Sequence, residues 1–123
     1  MAKDDYDVIV YRVLVYLYGC LKRKIMYEEV TFNESVRKNV ESDTYFYEIL
    51  SMMQSEGLIE GLAFHKAWGG DLILLSNIRD AKITAPGVRY IKENSIMNRV
   101  GEMLKNKVDI ISKLAAMLLL ISK

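Results

Sequence analysis

The amino-acid sequence predicts an α+β fold in which helices precede and follow one short β-hairpin. The chain of 123 residues contains a single proline and seven glycines, so few residues interrupt its helix-like stretches. Two short apolar runs flank Gly69-Gly70, a pair that can adopt the positive φ angles of a tight hairpin turn. Towards the C-terminus, apolar residues recur at an alternating three- and four-residue spacing, which is typical of a helix with one apolar seam.

Composition and charge indicate one folded domain with an appended element. Apolar residues make up 51% of the sequence and charged residues 27%, which is typical of folded rather than disordered proteins. Seventeen basic and sixteen acidic residues give a net charge of +1, a weaker footprint than the basic face of a dedicated nucleic-acid binder. Residues 42–56 carry three acidic and no basic side chains, whereas residues 84–123 carry seven basic and three acidic ones.

Several classes of function are disfavoured by what the sequence lacks. Cys20 is the single cysteine and His65 the single histidine, so we expect neither an intrachain disulfide nor a metal site. No P-loop, dinucleotide fingerprint or HExxH motif is present. The N-terminus lacks a secretion signal, and the longest apolar run, residues 114–121, is shorter than the about 20 residues that span a bilayer. We therefore expect a cytoplasmic protein with no membrane span, no cofactor and no enzymatic activity.

The first helix is predicted in the stretch DDYDVIVYRVLVYLYGCLKRK, residues 4–24. Carboxylates at its start and the cations Lys22, Arg23 and Lys24 at its end match the helix dipole. Its many β-branched residues favour a strand, but the length and the end charges decide for a helix. Because the stretch is apolar on nearly all sides, we expect it to be buried on more than one face.

A short second helix is predicted over about residues 32–39. Thr31 and Glu34 form an S/T-x-x-E capping box, in which each side chain satisfies a backbone N–H at the start of the helix. The apolar stripe of this helix consists of Phe32, Val36 and Val40.

A third helix is predicted to run through Glu56. Ser42 and Asp43 can cap its start, and Gly57 ends it because glycine tolerates a left-handed backbone. Its inward-facing residues are Phe46, Ile49, Leu50 and Met53.

A β-hairpin and a fourth helix follow. The segments LIEGLAF and LILLS are predicted strands, joined by the turn HKAWGGD. The segment NIRDAKI is predicted to be a further extended piece that closes the small sheet. Thr84 then caps the helix APGVRYIKEN, in which Pro86 is tolerated in the first turn.

Residues 95–123 are predicted to form one long helix, capped by Ser95, with a coiled-coil seam. The seam consists of Met97, Val100, Leu104, Lys107, Ile111, Leu114, Leu118 and Ile121. We expect residues 1–95 to be one domain and residues 96–123 to be a dimerisation element, with the first helix supplying the other half of a homodimer interface. The residues expected in that interface are Val100, Leu104, Ile111, Leu114, Leu118 and Ile121. The alternatives are packing on the chain's own domain, binding of another protein and, more weakly, binding to a membrane surface.

Three helices, a hairpin and a further helix follow one another in the order of a winged helix-turn-helix. The pair EGLIEG (residues 56–61) and KITAPGVRYIKENS (residues 82–95) resembles the YjcQ-like winged-helix family of small bacterial and prophage proteins. The resemblance covers roughly residues 8–97 and implies that the helix before Gly-Leu-Ile is the recognition helix. It implies an α+β winged-helix fold with a C-terminal helical extension, and by analogy a DNA-binding regulator of transcription.

By that analogy, the N-terminal half of the third helix enters the major groove of double-stranded DNA. Its outward residues include hydroxyl groups but no Arg or Lys for guanine contacts, and Asp43 and Glu48 would repel phosphates. The expected DNA-binding residues are Lys22, Arg23, Lys24, Arg37, Lys38, Thr44, Tyr45, Tyr47, His65, Lys66 and Trp68. Trp68 can stack in a groove or fold back onto the sheet. The alternative is a protein-interaction module of the same fold without a role on DNA.

Overall fold

The computed structural model of the protein describes residues 6–120. The helices are α1 (Tyr6–Leu21), α2 (Glu29–Ser35), α3 (Asp43–Ser55), α4 (Ala85–Glu93), α5 (Ser95–Leu104) and α6 (Ile110–Ala115). The strands are β1 (Ile59–Glu60), β2 (Phe64–Lys66), β3 (Leu72–Leu74) and β4 (Lys82–Ile83). Short 3-10 turns cover Trp68–Gly70 and Ile78–Asp80, and a π-helical turn covers Ala116–Leu120. The predicted α+β class is confirmed: the chain is mostly helical, with two small two-stranded antiparallel sheets.

Helix α1 is the centre of the core. Every side chain from residue 8 to residue 18 is buried, including the guanidinium-bearing Arg12. The helix packs against α3, α4, α5, α6 and β4, which together surround it. The prediction that this helix is buried on more than one face is confirmed, because its apolar circumference is covered by the rest of the same chain.

Helix α2 starts three residues earlier than predicted, and the prediction of a capping box formed by Thr31 and Glu34 is wrong. The cap is Glu28, and Thr31 lies inside the helix, where its hydroxyl donates a hydrogen bond to the Glu28 carboxylate. A tertiary contact fixes this start, because the Glu28 N–H donates to the Tyr16 hydroxyl of α1 at 3.1 Å. The helix ends at Ser35 rather than residue 39. Its predicted apolar stripe is buried and is confirmed: Phe32, Val36 and Val40.

Helix α3 agrees with its prediction. The Ser42 hydroxyl accepts the Tyr45 N–H at 3.1 Å and so caps the helix. Gly57 follows the helix with a φ of 80°. The four side chains predicted to face inward are all buried: Phe46, Ile49, Leu50 and Met53.

The predicted strand LIEGLAF is divided into β1 and β2 at Gly61. Gly61 has a φ of 100°, and a Cβ atom there would lie 2.3 Å from the Asp80 carbonyl oxygen. The chain therefore needs glycine at this position, both for the left-handed backbone and for the close approach. As a result β1 pairs with β4, with Ile59 opposite Ile83, while β2 pairs separately with β3 in the predicted hairpin.

The two motifs that carry the family resemblance are in contact with each other. The Thr84 N–H donates to the Leu58 carbonyl at 3.1 Å, and the Thr84 hydroxyl donates to the Gly57 carbonyl. Thr84 also caps α4, as predicted, by accepting the Gly87 N–H at 3.1 Å. A Cβ atom on Gly87 would lie 2.2 Å from the Leu58 carbonyl oxygen. These motifs therefore hold α4 against the segment after α3, which is a structural role.

The prediction of one long C-terminal helix is wrong. Helix α5 is capped by Asn94 rather than Ser95 and ends at Leu104, and α6 begins at Ile110. Asp109 interrupts the helix because its carboxylate accepts the Ser112 N–H at 3.0 Å and caps α6. On either side of this break, α5 and α6 both pack on α1.

The predicted dimer seam is occupied within the chain. Its described members are buried and belong to the core around α1: Val100, Leu104, Ile111, Leu114 and Leu118. Lys107, the polar exception, is exposed in the loop between α5 and α6. Ile121 lies outside the described residues. The apolar periodicity is thus satisfied by packing on the chain's own α1, which was one of the alternatives, and the homodimer stays a prediction.

Candidate nucleic-acid interface

The hairpin tip presents an aromatic ring to solvent. Trp68 has a relative exposure of 101%, so the alternative in which it folds back onto the sheet is wrong. The tip is held by backbone hydrogen bonds from Ala67 N–H to the Asp71 carbonyl at 2.7 Å and from Gly70 N–H to the Ala67 carbonyl at 3.0 Å. Lys66 is also exposed, so the predicted pair of a cation and an aromatic ring lies at the tip.

The two faces of the hairpin differ in burial. Phe64 and Leu74 form a half-buried cross-strand pair on the inner face, against α3. His65 and Ile73 form the next pair, which is exposed. Ile73 is 40% exposed and Leu75, two residues along the same face, is 63% exposed. The outer face of the hairpin is therefore more apolar than an ordinary exposed surface strand.

The residues of α3 that were predicted to contact DNA point in different directions. Thr44 is half-buried, and Tyr45 is exposed near Tyr6 at the start of α1. Tyr47 is half-buried and faces the hairpin side of the helix, where it lines a cavity with Leu74. Only part of the predicted recognition surface is thus open to solvent.

Arg37 is engaged inside the protein. Its Nη1 lies 2.7 Å from the Asp43 carboxylate, its Nη2 donates to the Val40 carbonyl at 3.2 Å, and its guanidinium lies over the Phe46 ring. This side chain joins the turn after α2 to the start of α3. It also neutralises Asp43, one of the two carboxylates expected to repel phosphates. The neighbouring Lys38 is exposed.

A polar cavity of about 430 Å³ lies between α2, the start of α3 and the connection from β3 to β4. We call it the polar cavity. The side chains that bear on its chemistry are Tyr27, Glu29, Arg37, Asp43, Tyr47 and Arg79. The Arg79 guanidinium lies 5.7 Å from the centre of the Tyr27 ring. Burial raises the pKa of Tyr27, and the nearby Arg79 charge opposes that rise.

A second cavity, of about 300 Å³, lies between the C-terminal end of α1 and β4. We call it the cationic cavity, because Arg23, Arg79 and Lys82 line it and no carboxylate is among its lining residues. Arg79 lines both cavities. Sequence reasoning missed Arg79 and Lys82, since they come near Arg23 only through the packing of α1 on β4.

The predicted cationic run at the end of α1 is divided by the fold. The Lys22 Nζ lies 5.8 Å from the centre of the Tyr18 ring, on the side of α4, where Lys92 lies 5.5 Å from the same ring. Arg23 lines the cationic cavity, and Lys24 is exposed. The structure therefore does not bring the three cations together as one phosphate clamp.

The remaining chemistry of the described residues is limited. Cys20 is half-buried, and burial raises the pKa of its thiol. Within residues 6–120, no three His, Cys, Asp or Glu side chains are grouped in a way that could hold a metal ion. None of the helices in the same part of the chain is long and apolar enough to cross a membrane.

The geometry defines a small α+β protein with an exposed aromatic residue at the hairpin tip and a cationic cavity between α1 and β4. A family model described as YjcQ protein matches residues 11–110, so the chain belongs to the YjcQ family. The match extends past the predicted resemblance, through α5 to the start of α6. Membership fits a small bacterial or prophage protein. The chain has no match among curated proteins or among solved structures.

Proposed function

We propose that the protein is a DNA-binding protein of the winged-helix class, acting as a small prophage-type regulator of transcription. The observation that carries the proposal is Trp68, fully exposed at a hairpin tip beside Lys66. A tryptophan in water forgoes the burial of a large aromatic surface, and such rings are enriched where a protein binds a partner. The order of three helices, hairpin and helix supports the winged-helix assignment.

In this proposal the hairpin is the main contact with DNA. Lys66 binds a backbone phosphate and Trp68 stacks in a groove, while the outward hydroxyl groups near the start of α3 approach the bases. The ion pair between Arg37 and Asp43 supports the approach of α3, because it leaves Glu48 as the remaining exposed carboxylate in the first half of that helix. The proposal assigns no catalytic activity to the protein.

The DNA proposal does not depend on the homodimer predicted from the sequence. A winged helix can bind one site as a monomer, whereas a two-fold dimer would bind a symmetric operator. Because the predicted seam is buried against α1, a homodimer would require another surface.

Fluorescence anisotropy of a labelled random duplex, at about 50 and 200 mM salt, tests the proposal. We expect binding that weakens steeply with salt, because phosphate contacts release counterions. Lys66→Ala should flatten the logarithmic salt dependence by about one unit. Lys113→Ala, which removes an exposed lysine on α6, is the matched control and should change the slope less.

The contribution of Trp68 to DNA binding is tested with a separate pair of variants. Trp68→Ala should weaken binding to duplex DNA, whereas Val108→Ala removes a side chain that is 93% exposed elsewhere and should not. No binding to the random duplex at the lower salt concentration would refute the DNA proposal.

The second candidate is a protein-interaction module. The exposed apolar side chains Ile73 and Leu75 on the outer face of the hairpin favour it. The two candidates differ in their response to salt: a contact through these apolar side chains should persist at 200 mM salt or above, where phosphate contacts are screened.

A further inference from the structure

We propose that the cationic cavity binds a small organic anion, with its acid group at Arg23, Arg79 and Lys82 and its apolar body against the floor of the cavity. This site is separate from the hairpin tip and does not rest on the DNA proposal. The ligand would be a carboxylate or a phosphate ester with a short apolar chain.

The first argument is charge. Three cationic side chains line one cavity of about 300 Å³, and no carboxylate lines it. Among residues 6–120, neither Arg23 nor Lys82 has an ion-pair partner within 4.0 Å. The polar cavity shows the contrast, since Arg37 there is paired with Asp43. Glu60 lies opposite Lys82 in the register of β1 and β4 but does not line the cavity. A bound anion would place a counter-charge inside the cavity and reduce the repulsion among its three cations.

The second argument is the backbone of Arg23. Its φ is 60°, and it follows α1 at the position where a left-handed residue ends a helix. The hydrogen bond from the Lys24 N–H to the Gly19 carbonyl, at 2.9 Å, completes this turn through backbone atoms alone. Glycine or asparagine would serve the turn at lower strain. A strained backbone that carries a side chain the turn does not use points to a role for that side chain in the cavity.

The third argument is the floor. Leu17 and Ile83 are buried, Leu21 is exposed at the edge, and Cys20 is half-buried among them. An inorganic ion would leave the exposed part of Leu21 in contact with water, whereas the apolar chain of an organic anion would cover it. The volume lies at the lower end of the range for small-molecule sites, about 300–1,000 Å³.

Cys20 provides a direct readout, since it is the single cysteine of the chain and lines the cavity. The experiment measures the rate at which uncharged N-ethylmaleimide alkylates Cys20 in the full-length protein, with octanoate, octyl phosphate or inorganic phosphate present. A ligand in the cavity shields the thiol by mass action. We expect the rate to fall about tenfold when octanoate or octyl phosphate is present at about ten times its Kd, and less with inorganic phosphate.

Three variants distinguish binding in the cavity from effects of a substitution on the protein as a whole. Arg23→Gly removes one cation while suiting the left-handed backbone, and Lys82→Gln removes another at an exposed strand position. Both should lose the protection by octanoate and octyl phosphate. Lys24→Gln is the matched control, because Lys24 adjoins Arg23 in sequence but does not line the cavity, and it should keep the protection. Circular dichroism checks that each variant is folded.

Two outcomes would overturn the proposal. The first is no protection by either organic anion, and the second is equal protection in Arg23→Gly, Lys82→Gln and wild type. Loss of DNA binding in the anisotropy measurement leaves the alkylation result unaffected, so the two proposals fail independently.

Discussion

At the scale of single residues, Arg12 is the most unusual side chain of the core. It lies in the middle of α1 with a relative exposure of 6%, and its Nε and Nη1 atoms are buried without a hydrogen-bond partner among residues 6–120. Burial lowers the pKa of the guanidinium, and the carboxylate of Asp109 opposes that shift. A buried charge with incomplete hydrogen bonding costs folding free energy, which the nearby Asp109 only partly offsets.

We therefore predict that Arg12→Met stabilises the protein. Removing the buried charge while keeping an unbranched apolar side chain should raise the free energy of unfolding by about 1–2 kcal/mol. Urea denaturation followed by circular dichroism measures the change. A loss of stability in Arg12→Met would show that the guanidinium is better satisfied than its contacts indicate.

Asp109→Asn tests the pairing itself. Asparagine keeps an oxygen that can accept the Ser112 N–H and cap α6, so this change removes the charge and leaves the cap. It should cost about 1–3 kcal/mol in the wild type and clearly less in the Arg12→Met background. Equal costs in the two backgrounds would mean that Asp109 and Arg12 do not interact.

At the scale of elements, two close backbone approaches position the strands and α4. Gly61 approaches the Asp80 carbonyl, and Gly87 approaches the Leu58 carbonyl. These contacts lie in or beside the EGLIEG and ITAPG motifs, so the residue types in the motifs follow from packing. The recognisable sequence of the family therefore reports how its parts fit together and gives little information on ligands.

Gly61→Ala and Gly57→Ala form a matched pair that measures one such approach. Both glycines have positive φ angles, 100° and 80°, but a Cβ atom on Gly57 would have no heavy atom within 4 Å. Gly57→Ala should cost about 1–2 kcal/mol for its left-handed backbone, and Gly61→Ala about 1–3 kcal/mol more for the clash. Denaturation curves of the two variants give the difference, and equal losses would exclude the close approach.

At the scale of the whole molecule, the chain wraps its own α1. The C-terminal helices complete the core that the preceding helices and β4 leave open on that side. Leu114 is 2% exposed, and a Cβ atom on Gly19 of α1 would lie 3.1 Å from its Cδ2 atom. Residues 96–120 therefore contribute to the stability of the monomer.

Leu114→Ala tests this arrangement against the dimer predicted from the sequence. Removing a buried leucine should lower the free energy of unfolding by about 2–5 kcal/mol. The molar mass measured by light scattering should be the same as that of the wild type. If the variant instead halves the molar mass of a wild-type dimer without loss of monomer stability, the seam lies between two copies.

Local signals predicted a large part of the fold. Ser42 and Thr84 cap helices as expected, and Gly69-Gly70 forms the hairpin turn, because each depends on neighbours within a few residues. The start of α2 was mispredicted because the contact between Tyr16 and Glu28 is tertiary. The surface that covers the seam could not be predicted, because an apolar periodicity marks a buried face without identifying what packs on it.

The candidate sites follow the same division. Lys66 and Trp68 could be singled out because they adjoin a glycine turn in the sequence. The cationic cavity could not, because Arg23 and Lys82 are 59 positions apart in the numbering and meet only through the packing of α1 on β4. Contacts between distant segments carry no local pattern from which a site can be recognised.

The exposure of Trp68 has an optical consequence. It is the chain's single tryptophan, and its indole ring is already in water in the folded protein. Its emission maximum should therefore barely shift when the protein unfolds. A plot of the wavelength of this maximum against denaturant concentration would be nearly flat. A partner that covers the hairpin tip would change the emission against this constant background. The emission of Trp68 should thus report the binding of a partner at the hairpin tip and be almost insensitive to unfolding.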